Sequence, residues 1–170
     1  MKADHSSADT PSLVVDWALW FYWIIATTSG WLIGNLLFTG IPFIISGVLI
    51  AAMQWAVLYK RVEKAWQWFA LSSFAWMISM ILIVSFLPGV DLLSSLVLGG
   101  ILGLTQWAIL RRSFYYAGWW IPISILAWTT GLVLIPGFFS SGALPGALTG
   151  ITLVIFFRFA AKPDQEGGEG

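Results

Sequence analysis

The 170-residue sequence contains no cysteine. That absence excludes disulfides, thiolate metal sites, CxxCH haem attachment and a cysteine nucleophile together. Histidine occurs once, as His5 in a polar N-terminal segment, so the apolar body of the chain has no imidazole for metal or haem ligation. Charge is equally scarce. Asp, Glu, Lys and Arg make up 9% of the chain and sum to zero, against about a quarter in ordinary soluble domains. Without a basic excess there is no electrostatic surface for nucleic acid, which is not expected as a partner. Inside the apolar stretches Asp, Glu, Lys, Arg and His are missing except near their ends. No acid–base pair, triad or metal cage can be built there, so no catalytic residue and no metal ligand is assigned. The same gap removes the buried ionisable group on which proton relays and coupled pumps depend.

What fills the chain is apolar: 59% hydrophobic residues, twelve of them tryptophan, and a mean hydropathy of +0.87. A bilayer core takes about 20 helical residues to cross, so residues 17–161 have room for about six spans. Pro and Gly cut this stretch at spanning intervals, giving expected spans 17–38, 43–60, 65–87, 92–111, 117–135 and 143–160. Residues 1–16 read as a polar tail without a cleaved signal, because the apolar stretch after Asp16 is longer than a signal-peptide core. The acidic, glycine-rich end, residues 162–170, cannot bury apolar surface and is expected to be disordered.

Charge placement supports the count of six independently of hydropathy. The breaks after spans one, three and five (Thr39-Gly40-Ile41-Pro42, Leu87-Pro88-Gly89, and Pro136-Gly137 through Pro145) carry no Lys or Arg, whereas those after spans two and four carry Lys60, Arg61, Lys64, Arg111 and Arg112. With six spans these five, together with Lys2, Arg158 and Lys162, all fall on one side. The positive-inside rule makes that side, and both termini, cytoplasmic. Asp91 is then the one charge expected outside, placed to cap span four.

A repeat of about 45 to 52 residues, two spans long, runs through the chain. Trp23 and Trp31 are eight apart, as are Trp68 and Trp76, and Trp120 and Trp128. In the even spans Gly47, Ala51, Gln54, Trp55 and Lys60 match Gly99, Gly103, Gln106, Trp107 and Arg111, while the third copy keeps Gly146, Gly150 and Arg158 but has Leu153 in place of the glutamine. The expected fold is therefore all-α: a polytopic membrane protein whose six helices form three parallel αα-hairpins, about 17–61, 65–112 and 117–160. The ending GxxxGxxQWxxLRR, as written from Gly99 to Arg112, resembles a motif in small repeat-bearing multi-pass proteins of bacteria that have no assigned activity. The resemblance covers most of the spanning region. It implies a bacterial inner or photosynthetic membrane and no chemistry.

Glycines at four-residue spacing, Gly30/Gly34, Gly99/Gly103 and Gly146/Gly150, are read as helix-packing positions, since small residues let backbones approach closely. Gln54 and Gln106 sit inside the apolar slab and must find partners. They either bond a neighbouring helix or, with Asn35 and Thr105, line a polar cavity for an ion, headgroup or pigment. Trp17, Trp20, Trp66, Trp68, Trp119 and Trp120 lie toward the cytoplasmic ends of the odd spans and fit an aromatic belt. Trp31, Trp76 and Trp128 lie deeper. Each needs an acceptor for its indole N–H, for which Thr27, Ser72 and Ser124 are one turn back, or else forms an aromatic wall for a flat ligand such as a quinone or tetrapyrrole.

No cofactor is called for by these residues, although a pigment or quinone would fit such a wall. The partners expected are the lipid bilayer and a membrane protein or second copy of the chain. Three functions compete: a non-enzymatic scaffold, assembly factor or accessory subunit that binds lipid or pigment; a channel or facilitator for a neutral or weakly charged solute; and an intramembrane lipid-modifying enzyme working from Glu63 at the rim. The first leads, because the sequence invests in helix packing and lacks buried charge.

Overall fold

The computed structural model describes residues 16–37, 42–89 and 91–161. The expected N-terminal tail (but for Asp16), the first break (but for Pro42) and the acidic C-terminal end lie outside them. The described residues form six helices: α1 (Trp17–Leu37), α2 (Pro42–Leu58), α3 (Trp66–Phe86), α4 (Asp91–Leu110), α5 (Trp120–Thr129) and α6 (Ser140–Ile155). A 3₁₀ turn, Ala117–Trp119, leads into α5. π-helical turns, Thr130–Leu134 and Phe156–Ala160, extend α5 and α6. Helix bounds fall within about three residues of the breaks that Pro, Gly and basic clusters mark in the sequence. The tight turn after α3 requires its glycine, because Gly89 has φ +77°. Asp91 is the first residue of α4, where a negative charge meets the positive end of the helix dipole.

Four helical stretches are long and apolar enough to cross a bilayer: Trp66–Phe86, Asp91–Leu110, Ala117–Leu134 and Ser140–Ala160. The apolar part of α2, Phe43–Leu58, is shorter. Helix α1 matches α3 in length, at 21 residues, and mixes four tryptophans with Thr27, Thr28, Ser29 and Asn35.

The distribution of side chains is the reverse of a water-soluble bundle. Large apolar residues face outward, with Phe86, Val84 and Leu37 all more than 70% exposed. Gln54, Gln106, Thr27, Ser72 and Ser124 lie inside, each under 10% exposed. An apolar exterior around a polar interior suits hydrocarbon as the solvent. It also explains why no helix shows a strong amphipathic stripe.

Each helix packs chiefly on its neighbours in sequence, and α6 returns to pack on α1, closing a ring. Glycines set the closest crossings. A Cβ on Gly99 would lie 2.7 Å from Ile125 Cα, one on Gly103 3.0 Å from Ile121 Cα, and one on Gly146 3.0 Å from Ile24 Cα. Gly30 and Gly34 bring α1 equally close to Ile50 and Ser46 of α2, and Gly150 lies against Trp20 and Trp23. All six positions singled out for packing are thus at backbone-to-backbone or backbone-to-indole contacts.

One end of the ring gathers the charge. Arg61 pairs with Asp16, Arg112 donates to Gln67 at 2.9 Å, and Tyr115 N–H donates to Ala160 C=O at 3.0 Å. These bonds bring the start of α1, the α2–α3 and α4–α5 connections and the end of α6 together. Asp16 also caps α1, its Oδ1 accepting from Leu19 N–H at 2.9 Å.

Candidate functional site: the polar core

The core site is built from α1 to α6 by one arrangement used twice and a variant used once. Gln106, projecting inward from α4, accepts from Trp120 Nε1 of α5 at 2.9 Å and donates to Ser72 Oγ of α3 at 3.0 Å. Gln54, projecting from α2, accepts from Trp68 Nε1 of α3 at 3.1 Å and donates to Thr27 Oγ1 of α1 at 2.9 Å. Thr27 in turn donates to Trp23 C=O one turn back, at 2.9 Å, which aims its lone pair at the amide. An indole has only a donor and an amide has both kinds of group, so each glutamine links two helices without residual polarity on the indole.

The variant is on α6. Trp23 Nε1 donates to Thr149 Oγ1 at 2.9 Å, and Thr149 donates to Pro145 C=O at 2.6 Å. Thr149, and not Leu153, therefore stands where the glutamines stand. The spacing agrees: Gly142-x₃-Gly146-x₂-Thr149 repeats Gly99-x₃-Gly103-x₂-Gln106, and a Cβ on Gly142 would meet Thr28 Cα as one on Gly99 meets Ile125 Cα. Matching Gly146 and Gly150 to Gly99 and Gly103 shifts α6 by one helical turn, an ambiguity created by three glycines in a row at that interval. Leu153 instead corresponds to Leu58 and Leu110, all at or below 1% exposed.

Threonine is too short to carry an amide across the ring. Ser124, the α5 counterpart of Thr27 and Ser72, is fully buried, and its hydroxyl has no hydrogen-bond partner. It is the unfinished third link.

The indoles also contact one another. Trp23 and Trp68 meet edge to face with centroids 5.5 Å apart, and Trp68 and Trp120 do so at 5.8 Å, the geometry the ring quadrupoles favour. A second layer, toward the end away from the basic cluster, pairs Trp76 with Trp128 at 5.0 Å and 74°. Between the layers a cavity is lined by Thr27, Gln54, Ser72, Gln106 and Thr149 among others, with about 10 Å³ of room for the centre of a water molecule. That is about the space for one water.

The aromatic-belt expectation is corrected for two residues. Trp68 and Trp120 are 1% and 0% exposed and belong to the polar core, whereas their neighbours Trp66 and Trp119 are 60% and 65% exposed and face outward with Trp17. Trp20 is half-buried and donates to Ala147 C=O. Nearness to a helix end gives depth along the bundle normal and leaves the side of the helix open, which is why sequence position misled. The eight-residue pairing was the usable signal. Eight residues are just over two helical turns, so Trp68 and Trp76 must share roughly one face.

The acceptor expected for Trp76 also differs: its Nε1 donates to Phe43 C=O at 2.6 Å, and the Ser72 hydroxyl one turn back accepts from Gln106. Gln54, Gln106, Trp76 and Trp128 line the cavity. Asn35 does not: it donates to Trp31 C=O and Ser46 Oγ near the other end of α1. Trp31 packs on Phe43 at 5.9 Å. Thr105 turns back on its own helix, bonding Ile101 and Leu102 carbonyls. Sequence reasoning passed over Thr149 as a site residue altogether. Among the described residues no group of His, Cys, Asp or Glu could hold a metal ion.

No protein family, curated protein or solved structure matches the chain.

Proposed function

We propose that the chain is a six-span membrane protein, three αα-hairpins closed into a ring with both termini cytoplasmic, that serves as a non-enzymatic scaffold or accessory subunit. One observation carries this reading. The two glutamines that line the central cavity are engaged on both sides by tryptophan and hydroxyl groups of the same chain. The space left between them suits about one water. A quinone or tetrapyrrole needs a pocket of some hundreds of Å³, and a solute path needs a continuous one.

Trp76 and Trp128 cover one another, so they do not form an open slot for a flat ligand. Lipid, pigment or a partner chain would then be met on the outer, apolar surface. A bacterial inner or photosynthetic membrane is the setting that the Gly99–Arg112 resemblance supports. Proteoliposomes test the reading against the channel alternative: we expect water, glycerol and urea permeation equal to that of empty vesicles. A solute flux that Gln54→Leu with Gln106→Leu alters would sink it.

A further inference from the structure

The two core glutamines have more hydrogen-bonding capacity than their links between helices use. A side-chain amide offers two N–H donors and two lone pairs on its oxygen. Among the described residues, Gln54 donates once, to Thr27, and accepts once, from Trp68; Gln106 donates once, to Ser72, and accepts once, from Trp120. Each keeps one N–H and one lone pair, although the residues are only 5% and 7% exposed. Thr149 accepts from Trp23 and donates to Pro145 C=O, which leaves its hydroxyl oxygen one lone pair. All three side chains line the same small cavity, with Trp23 and Trp120 from one indole layer and Trp76 and Trp128 from the other. A buried amide N–H without an acceptor is costly. What fits between these groups must therefore accept twice and also donate to oxygen.

We infer that the cavity is a binding site for one fixed water molecule, which accepts from the spare N–H groups of Gln54 and Gln106 and donates to the spare lone pairs of Thr149 and a glutamine oxygen. Size and chemistry select the ligand together. The room is about that of a single water, and a buried water makes about three hydrogen bonds. Ammonia has one lone pair and does not meet two donors. A cation would face N–H hydrogens, and an anion would be buried among side chains that carry no compensating charge. The site also gives the third repeat its place in the core. Thr149 stands where the other copies have glutamine, and a longer side chain there would carry its amide into the space the water takes. The inference rests on the core geometry and is independent of the scaffold reading.

The test is crystallographic. The full chain and its Thr149→Gln variant are crystallised from a lipid phase and compared at a resolution that shows ordered waters. In the unaltered chain one peak is expected in the cavity, about 2.7–3.2 Å from Nε2 of both glutamines; the Trp68 and Trp120 donors fix which amide atom is oxygen. In Thr149→Gln the new amide is expected in place of that peak. Absence of the peak, a peak out of reach of either Nε2, one with only oxygen neighbours at the shorter distances of a metal cation, or one that persists in Thr149→Gln would each overturn the inference. Should the variant fail to fold, the density of the unaltered chain decides. A file of waters running from the cavity to an end of the bundle would overturn the fixed site and the sealed interior together, whereas a cavity without density defeats the water alone.

Discussion

Ser72 and Ser124 occupy matching places on α3 and α5 and differ in one respect: Ser72 accepts from Gln106, and Ser124 has no partner. Their alanine variants should move stability in opposite directions. Ser72→Ala strands the Gln106 amide and is expected to cost about 1–2 kcal/mol, whereas Ser124→Ala removes a buried unpaired hydroxyl and should be neutral or stabilising by up to about 1 kcal/mol. Thermal unfolding of both variants in mild detergent checks the contrast, and a loss of similar size in both would contradict the bonding described. Gln106→Leu leaves Trp120 N–H without its acceptor and should be worse than either serine change, by about 1–3 kcal/mol. The glutamines were visible in the sequence as polar groups that needed partners. Which partners they take was not, because a hydrogen bond across a ring depends on azimuth, and helices apolar on all sides give no phase. The pairing of Gln54 with Trp68 and of Gln106 with Trp120 spans the same interval of 14 residues. That equality becomes informative only once the tryptophans are known to point inward.

At the scale of helices, glycine contacts and end clasps hold the ring. Gly99 and Gly100 are adjacent, yet a Cβ on Gly99 would lie 2.7 Å from Ile125 Cα while one on Gly100 would have nothing nearer than 4.0 Å. Gly99→Ala should therefore destabilise by about 1–3 kcal/mol through overpacking. Gly100→Ala should be harmless, or slightly helpful because alanine favours helix by up to about 1 kcal/mol. Equal effects would mean that α4 and α5 do not cross where described. The Asp16 clasp gives a pH dependence. Its carboxyl is held below the ordinary value of 3.8 chiefly by the Leu19 N–H; burial opposes this, and the Arg61 hydrogen bond and charge and the Ala18 N–H add to the lowering. A lowered folded-state value means that the contribution is present above the ordinary value and lost as pH falls through the folded one. The stability advantage over Asp16→Asn should accordingly be steady near neutrality and be lost as pH falls below 3.8 and through the lower folded-state value, and it should be small, about 1 kcal/mol or less, because the pair is partly exposed. Unfolding midpoints of the two proteins across acid pH would show it. Helix bounds were readable because Pro, Gly and basic residues interrupt apolar runs. The π-helical turns at Thr130–Leu134 and Phe156–Ala160 were not, since they continue the apolar stretch of α5 and α6 without a Pro or other break to mark the change.

For the whole molecule, the sequence carries a class and withholds an activity. Scarcity of charge, spacing of apolar runs and placement of basic residues speak for a membrane protein, and the outward-facing phenylalanines, leucines and valines of the folded chain agree with it. The register of α6 was obscured by Gly142, Gly146 and Gly150, since either adjacent pair fits the four-residue spacing; the Trp23–Thr149 bond resolves it. The account of function comes down to a sealed interior and a working exterior. Native mass spectrometry on the protein drawn from its own membrane in mild detergent, with an absorption spectrum of the same sample, tests that most directly. The account predicts another membrane polypeptide or a pigment that co-purifies in fixed proportion. A bare monomer or homo-oligomer with no bound polypeptide or pigment would contradict it.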